Sequence, residues 1–215
     1  MIARHVLVVG SAPVSADLLV RAAASADLVL CADGGADSVI AAGIVPAAVI
    51  GDMDSITAEG KIRLQAAGVQ TVEFPTNKDK TDLELALEFS LSYDPVRITV
   101  LGALGGARLD HTLGNVMLLA LPWLRRLDVR MLDQSGEALV VWDRRTVSGQ
   151  PGDYVSLMPL TPLAESVQTS GLKYALAGDT LRQGSTRGIS NELVAAEATI
   201  GVGAGCLLVR HEWRY

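Results

Sequence analysis

For roughly its first 133 residues the chain alternates short apolar runs with stretches about one helix long, and this rhythm restricts the fold more than any other feature. His5–Val9, Leu28–Cys31, Ala48–Ile50, Val69–Phe74, Arg97–Leu101 and Val129–Leu132 read as strands. Helices are predicted between them near 16–24, 36–42, 57–67, 82–91 and 111–121. Strands separated by single helices build βαβ units, and such units give a mainly parallel sheet covered by helices on both faces. Gly43 and Gly68 follow two of the helical stretches, where a C-terminal cap favours a positive φ.

From about residue 137 the texture changes. "EALVVW", "RRTVSG", "DYVSLMPL", "VQTSGLKYAL" and "GCLLVRHEW" are short, β-rich and punctuated by Gly, Pro and Ser. Such spacing predicts an antiparallel sandwich or barrel. No repeat of fixed period and no low-complexity tract interrupts the chain. The expected architecture is an α/β domain over 1–143 followed by an antiparallel β-sandwich domain over 144–215.

Bulk properties narrow the partners. The 215 residues are 49% hydrophobic and 20% charged, a globular composition rather than a disordered one. The net charge of −6 argues against a general nucleic-acid surface and leaves room for a local basic pocket. Cys31 and Cys206 lie far apart and form no CxxC pair, so reduced thiols are expected. The apolar run in "MIARHVLVVG" is too short for a signal peptide or a membrane span. The expectation is a soluble cytoplasmic protein without nucleic-acid or membrane partners.

Ligands of an open parallel sheet gather at the carboxyl ends of its strands. Four polar clusters fall at such ends: "ADGGAD" (32–37), "GDMDS" (51–55), "PTNKDKTD" (75–82) and "GALGGARLDH" (102–111). In an extended segment Asp52 and Asp54 point the same way and repel unless a cation lies between them. Mg²⁺ is a hard ion that takes a few carboxylates while phosphates and water fill its other positions, so Asp52, Asp54, Asp79, Asp82 and Asp33 are candidate ligands or supports. A lone Asp-x-Asp reads more readily as turn capping; a second acidic loop on the same rim favours the metal. Thr81 and Glu84 form a capping-box pattern that would hold Asp82 rigidly at a helix start. Gly102, Gly105 and Gly106 let backbone N–H groups approach a phosphate or base, Arg108 suits bidentate phosphate contact, and the helix opening near His111 favours anions. The loop is neither GxGxxG nor GxxxxGK[ST], so the common dinucleotide and P-loop patterns are absent. A plain Gly-rich turn remains the alternative. His111 reads as a hydrogen-bonding partner rather than a catalytic base. Lys78 reads as either a phosphate contact or an exposed loop lysine, and Tyr174 or Trp213 as either a stacking platform or packing.

Taken together, ADGG, GDMDS, KDKTDLELAL, GGARLDHTLGN, GLKYAL and a late SNE resemble, in order and over nearly the whole chain, the thiamine pyrophosphokinase family. The resemblance implies transfer of the pyrophosphoryl group of ATP to the hydroxyl of thiamine, giving thiamine diphosphate and AMP. It further implies Mg²⁺, an N-terminal nucleotide domain, a C-terminal β-sandwich, and a homodimer with active sites at the subunit interface. Carried over residue by residue, Asp52, Asp54 and Asp82 correspond to Mg²⁺ ligands, with Asp33 and Asp79 in support. Gly105, Gly106, Arg108, Asp110 and His111 correspond to the ATP site, and Tyr174, Ser190 and Asn191 to thiamine contacts. Two departures stand out: Ala107 separates Gly106 from Arg108 where the family has Gly-Gly-Arg, and Tyr174 stands where many relatives carry Trp. The alternatives are a pyrophosphokinase for another small alcohol such as a pterin, a metal-dependent phosphohydrolase, and a non-catalytic nucleotide or thiamine sensor.

Overall fold

A computed structural model of the protein describes residues 3–214. Contacts divide the chain into two compact units, one of residues 1–118 with 126–134 and the other of 119–125 with 135–215.

The first unit is the expected α/β layer structure. Its strands are β1 (His5–Val9), β2 (Leu28–Ala32), β3 (Ala48–Gly51), β4 (Gln70–Glu73), β5 (Arg97–Leu101) and β6 (Asp128–Leu132). They stand in the order β4-β3-β2-β1-β5-β6, and every pairing is parallel. The helices are α1 (Ala16–Ser25), α2 (Gly35–Ala41), α3 (Ala58–Ala66), α4 (Asp82–Ser90) and α5 (Leu109–Leu118). Alternation along the strands sorts the two faces. Leu7, Val9, Val29, Cys31, Val49 and Leu101 share one core cluster with Leu18 and Leu19 of α1, Val39 of α2 and Leu64 of α3. Helix α4, whose Leu83, Ala86 and Leu87 are buried, packs on β1, β2 and β3. The chain therefore winds outward from β1 to β4, crosses back over α4, and resumes at β5 on the other side of β1. That reversal opens a crevice between the carboxyl ends of β1 and β5, where open α/β sheets bind ligands.

Side-chain caps start the helices where the sequence places them. Ser15, Thr57 and Thr81 accept hydrogen bonds from the backbone N–H groups of Leu18, Gly60 and Glu84, an arrangement worth about 1 kcal/mol each. Helix α5 departs from expectation, beginning two residues earlier and ending at Leu118. It also contains no buried residue.

The second unit is antiparallel. Its strands are β7 (Gly136–Val141), β8 (Arg144–Ser148), β9 (Tyr154–Pro159), β10 (Leu163–Ser170), β11 (Ala177–Arg182), β12 (Asn191–Glu192), β13 (Glu197–Gly201) and β14 (Leu207–Glu212). One set runs β12-β9-β14-β7 and the other β11-β10-β13-β8. Leu139, Val155, Leu157 and Val209 of the first set share a core with Val147, Val167, Leu181 and Ile200 of the second. "GLKYAL", expected to be extended, is instead a bent connection between β10 and β11 that keeps one antiparallel bridge, Leu172 to Leu193. At one end of β14 the fully buried His211 lies between two buried carboxylates, with Nδ1 3.4 Å from Glu137 Oε1 and Nε2 3.1 Å from Asp153 Oδ2. Asp153 also accepts the N–H groups of Gln150 at 2.9 Å and Arg214 at 2.8 Å. Trp213, half-buried, meets the His211 ring edge to face.

Candidate active site

A cavity of about 700 Å³ lies at the carboxyl ends of the parallel strands. Its floor is the crevice between β1 and β5. Gly10 N–H donates to Leu101 O at 2.8 Å and Ala12 N–H donates to Gly102 O at 2.9 Å. A Cβ on Gly10 would lie 2.6 Å from Gly102 O, and one on Gly102 would meet Gly10 O more closely still. The two backbones touch here only because neither residue has a side chain.

The acidic wall follows from β2, β3 and α4. Asp33, in the turn between β2 and α2, adopts φ 42° and is buried. A non-glycine residue held in the left-handed region is uncommon and tends to mark a functional turn. Its N–H donates to Ile50 O at 2.9 Å and its own carbonyl accepts from Ala36 N–H at 3.0 Å. Gly51 ends β3 with φ 148°, and a Cβ there would stand 3.0 Å from both Asp33 Cβ and Asp82 Cγ. The glycine of "GDMDS" thus makes room for two other carboxyl side chains. Asp82 is the first residue of α4, immediately after the Thr81 cap.

These positions bring carboxylate oxygens of Asp33, Asp52 and Asp82 within 4.8 Å of one another. Lys78 Nζ stands among them, 3.0 Å from Asp52 Oδ2 and 2.9 Å from Asp82 Oδ1, and its side chain is 14% exposed. Asp33 Oδ1 is buried without a hydrogen-bond partner. Burial raises the Asp33 carboxyl above the usual range; a Ser55 hydrogen bond opposes this, and the charges of Asp82, Asp52 and Asp54 add to it. The Lys78 hydrogen bond holds Asp52 below that range. Burial disfavours the charged form of Lys78, yet Asp82 and Asp52 outweigh it and raise the ammonium.

The opposite wall is the glycine-rich loop and α5. Thr112 Oγ1 donates to Gly105 O at 2.9 Å and Asn115 Nδ2 donates to Ala103 O at 2.9 Å, tying the loop to the helix. Gly105, Gly106, Ala107, Arg108, His111 and Asn115 line the cavity. Arg108 is exposed and grips the Asp110 carboxylate through Nε at 3.2 Å and Nη2 at 2.5 Å. That hydrogen-bonded partner pulls Asp110 down to about 2.

The expected site residues are therefore distributed as follows. Asp33, Asp52, Asp54, Asp82, Gly105, Gly106, Arg108 and His111 converge on one cavity. Asp79 is exposed and outside its lining, and Asp110 reaches it only through Arg108. The three carboxylates close enough to share an ion include Asp33 rather than Asp54, whose Oδ1 accepts the Ser55 hydroxyl at 2.9 Å. Ser11, Ser55, Thr76 and Asn115 line the cavity without having been singled out as ligands, and Lys78, read as either a phosphate contact or an exposed loop lysine, lines it too. Asn115 had a legible signal, since it lies one turn beyond His111 and so on the same helix face.

Tyr174, Ser190 and Asn191 belong to the second unit. Asn191 is buried and its amide is engaged at both ends: Oδ1 accepts Tyr174 N–H at 3.0 Å and Glu192 N–H at 2.9 Å, and Nδ2 donates to Tyr174 O at 2.8 Å. It works as a clamp that presents the 62%-exposed Tyr174. Lys173 Nζ lies 5.6 Å from the tyrosine ring centroid. Ser190 sits at φ 60° with its N–H donated to Ser156 Oγ at 3.0 Å. Replacing Asn191 by Ala leaves two backbone donors and an acceptor without partners, so a loss of about 1–3 kcal/mol is expected. Thermal unfolding checks it; a Tm unchanged from wild type would show that the clamp carries no stability.

Fold and cavity together define an α/β enzyme with an acidic, glycine-floored site, followed in sequence by an antiparallel β unit. Family models agree with that division: "Thiamin pyrophosphokinase, catalytic domain" matches residues 19–131 and "Thiamin pyrophosphokinase, vitamin B1 binding domain" matches 144–207. A curated thiamine pyrophosphokinase of Bacillus subtilis is 32% identical over 170 residues, 78% of this chain and 79% of the relative. The crystal structure of thiamine pyrophosphokinase from Bacillus subtilis superposes with a TM-score of 0.86 at 27% identity, covering 98% of this chain and 100% of the other. The thiamin pyrophosphokinase structure from Geobacillus thermodenitrificans gives 0.83 at 30% identity over 97% of each chain. The chain belongs to the thiamine pyrophosphokinase family.

Proposed function

We propose that this protein is an ATP:thiamine diphosphotransferase whose reaction runs in the cavity of the first unit. The observation that carries the site assignment is the triad of Asp33, Asp52 and Asp82 facing a glycine-rich loop with Arg108 across one cavity. In the reaction the thiamine hydroxyl oxygen attacks the β-phosphorus of ATP, the bond from that phosphorus to the oxygen bridging the α-phosphate breaks, AMP leaves, and the hydroxyl proton is released. Little covalent help is needed; in-line positioning and neutralisation of phosphate charge carry most of the rate.

The donor set fits Mg²⁺. Three hard oxygen donors converge, and the partnerless buried Oδ1 of Asp33 has an unmet demand for a cation. Asp33, Asp52 and Asp82 would hold the ion, with Asp54 at the rim. When bound, it supplies Lewis-acid charge stabilisation to the phosphate oxygens. The backbone of the 102–106 loop lets the polyphosphate approach closely, Arg108 offers planar donors once it releases Asp110, and His111 and Asn115 line the wall. Tyr174, held by Asn191, offers an aromatic face for the thiamine rings.

A homodimer completes this reading. Leu109, Leu113 and Met117 are 70%, 58% and 51% exposed and lie four residues apart on α5, while His111 and Asn115 lie on the opposite face, toward the cavity. A second copy covering that apolar stripe is supported by the absence of any buried residue in α5. Cytoplasmic placement is supported by two buried, unpaired thiols, Cys31 and Cys206.

The test measures AMP release from ATP and Mg²⁺ with and without thiamine, with the product identified by mass. The expected result is AMP that depends on thiamine, with thiamine diphosphate formed in equal amount. AMP released without an acceptor would make the protein a hydrolase. Ligand-induced stabilisation without turnover would make it a sensor.

A further inference from the structure

Lys78 bridges two of the three carboxylates that would be expected to share an ion. Its ammonium reaches Asp52 at 3.0 Å and Asp82 at 2.9 Å from a side chain that is 14% exposed, within the cavity lining. One ammonium against three carboxylates leaves a formal charge of −2, and Asp33 Oδ1 still has no partner. Lysine differs from arginine in being a compact point charge on a four-carbon stem, able to change partners without matching a fork geometry. The residue also sits in the connection between β4 and α4 rather than on a helix or strand.

We propose that Lys78 is a resident cation: it holds Asp52 and Asp82 together in the metal-free enzyme, leaves them when a divalent ion enters, and then turns to the phosphates of the nucleotide. The proposal rests on the metal reading of Asp33, Asp52 and Asp82 given above. Two cations a few ångströms apart repel, so ion and ammonium exclude each other from the same carboxylates. Metal binding must break both Lys78 ion pairs, and a polyphosphate nearby gives the freed ammonium a new anionic partner. Each ligand thereby lowers the cost of binding the other, a reciprocal coupling built from one side chain. The site would load metal and nucleotide together in preference to metal alone.

The test uses the full chain without nucleotide, Mn²⁺ alone as the spectroscopically visible ion, and three variants, Lys78→Met, Lys78→Gln and Lys78→Arg. Lys78→Met is expected to bind Mn²⁺ roughly tenfold more tightly than wild type, because no ion pair has to be broken first. In EDTA its Tm is expected to lie several degrees below wild type, with the gap closing as Mn²⁺ is added. Lys78→Gln repeats the measurement in a polar side chain should the methionine variant fold poorly. Lys78→Arg keeps the charge and is expected to keep the wild-type Tm in EDTA. Equal or weaker Mn²⁺ binding in both neutral variants, with wild type binding normally, overturns the proposal and leaves the metal site standing. Absence of Mn²⁺ binding in every form overturns the metal reading and the proposal with it.

Discussion

Asp52→Ala is expected to lower thiamine-dependent AMP release about a thousandfold while the protein stays folded. On the proposed reading Asp52 supplies one of three oxygens to an ion whose charge stabilisation is worth several kcal/mol in the transition state, and each 1.36 kcal/mol is a factor of ten. Folding survives because Lys78 keeps Asp82 as a partner at 2.9 Å when Asp52 is gone. Asp54→Ala is the informative companion. Asp54 lies outside the triad, with its carboxylate on the Ser55 hydroxyl, so a loss of only about tenfold is expected, from a weakened rim rather than a missing ligand. Steady-state rates and Tm for both variants decide the matter. A folded Asp52→Ala protein with wild-type turnover would sink the metal assignment, and equal losses in the two variants would move Asp54 into the ligand set.

The second large effect concerns stability. Asp153→Ala is expected to cost about 3–5 kcal/mol, because it strips one of two carboxylate partners from the buried His211 and leaves the Gln150 and Arg214 N–H groups without their acceptor. For a chain of this size that is a Tm lower by on the order of 10 °C. The same cluster sets a pH dependence. Burial alone would lower His211, but Glu137 and Asp153 outweigh it and raise the imidazolium above its ordinary value. Its contribution is therefore complete below the ordinary histidine value and is lost as pH rises through the raised folded value. Burial alone would raise Asp153, but the Arg214 and Gln150 N–H groups and His211 lower it, so its contribution is complete above the ordinary carboxylate range and fades as pH falls through the lowered value. The cluster contributes most between roughly pH 4 and pH 6.5. Thermal unfolding across pH 4 to 9 checks this: wild type is expected to lose Tm on the alkaline side, and Asp153→Ala to show a shallower slope there. A variant Tm within about 2 °C of wild type would remove the buried-ion account.

Most of the first unit was legible in the sequence because its signals are local. Apolar runs such as "HVLVV" and the caps Ser15, Thr57 and Thr81 determine elements within a few residues of themselves, and the observed β1–β6 follow them closely. The second unit was less legible. β11 and β13, "AGDTLR" and "EATIG", bury one or two side chains each and look polar, so tertiary pairing rather than composition makes them strands. The site divides the same way. Asp52 and Asp82 were legible because strand ends and helix caps are, whereas Asp33 joins them through a left-handed turn. Lys78 enters the cluster through an approach of two loops 26 residues apart. Long-range proximity of that kind has no local signature, and a lysine in a polar loop reads as exposed until the fold encloses it. Asn191 shows the converse: a motif residue whose amide is consumed internally, so that its role passes to the tyrosine it holds.

The cavity has walls of unequal stiffness. Asp33, Asp52 and Asp82 stand at the ends of elements sunk into the core, while Arg108 and His111 stand on or beside a helix with no buried residue, tied to its loop through Thr112 and Asn115. A helix so placed gains little from packing and frays readily. Whatever binds the glycine-rich side must first quiet it, so part of the interaction energy is consumed as ordering entropy before it registers as affinity. Anything that lies across Leu109, Leu113 and Met117 supplies that order in advance. On the proposed reading, tightness for the nucleotide and the company the helix keeps on its far face thus become a single thermodynamic quantity.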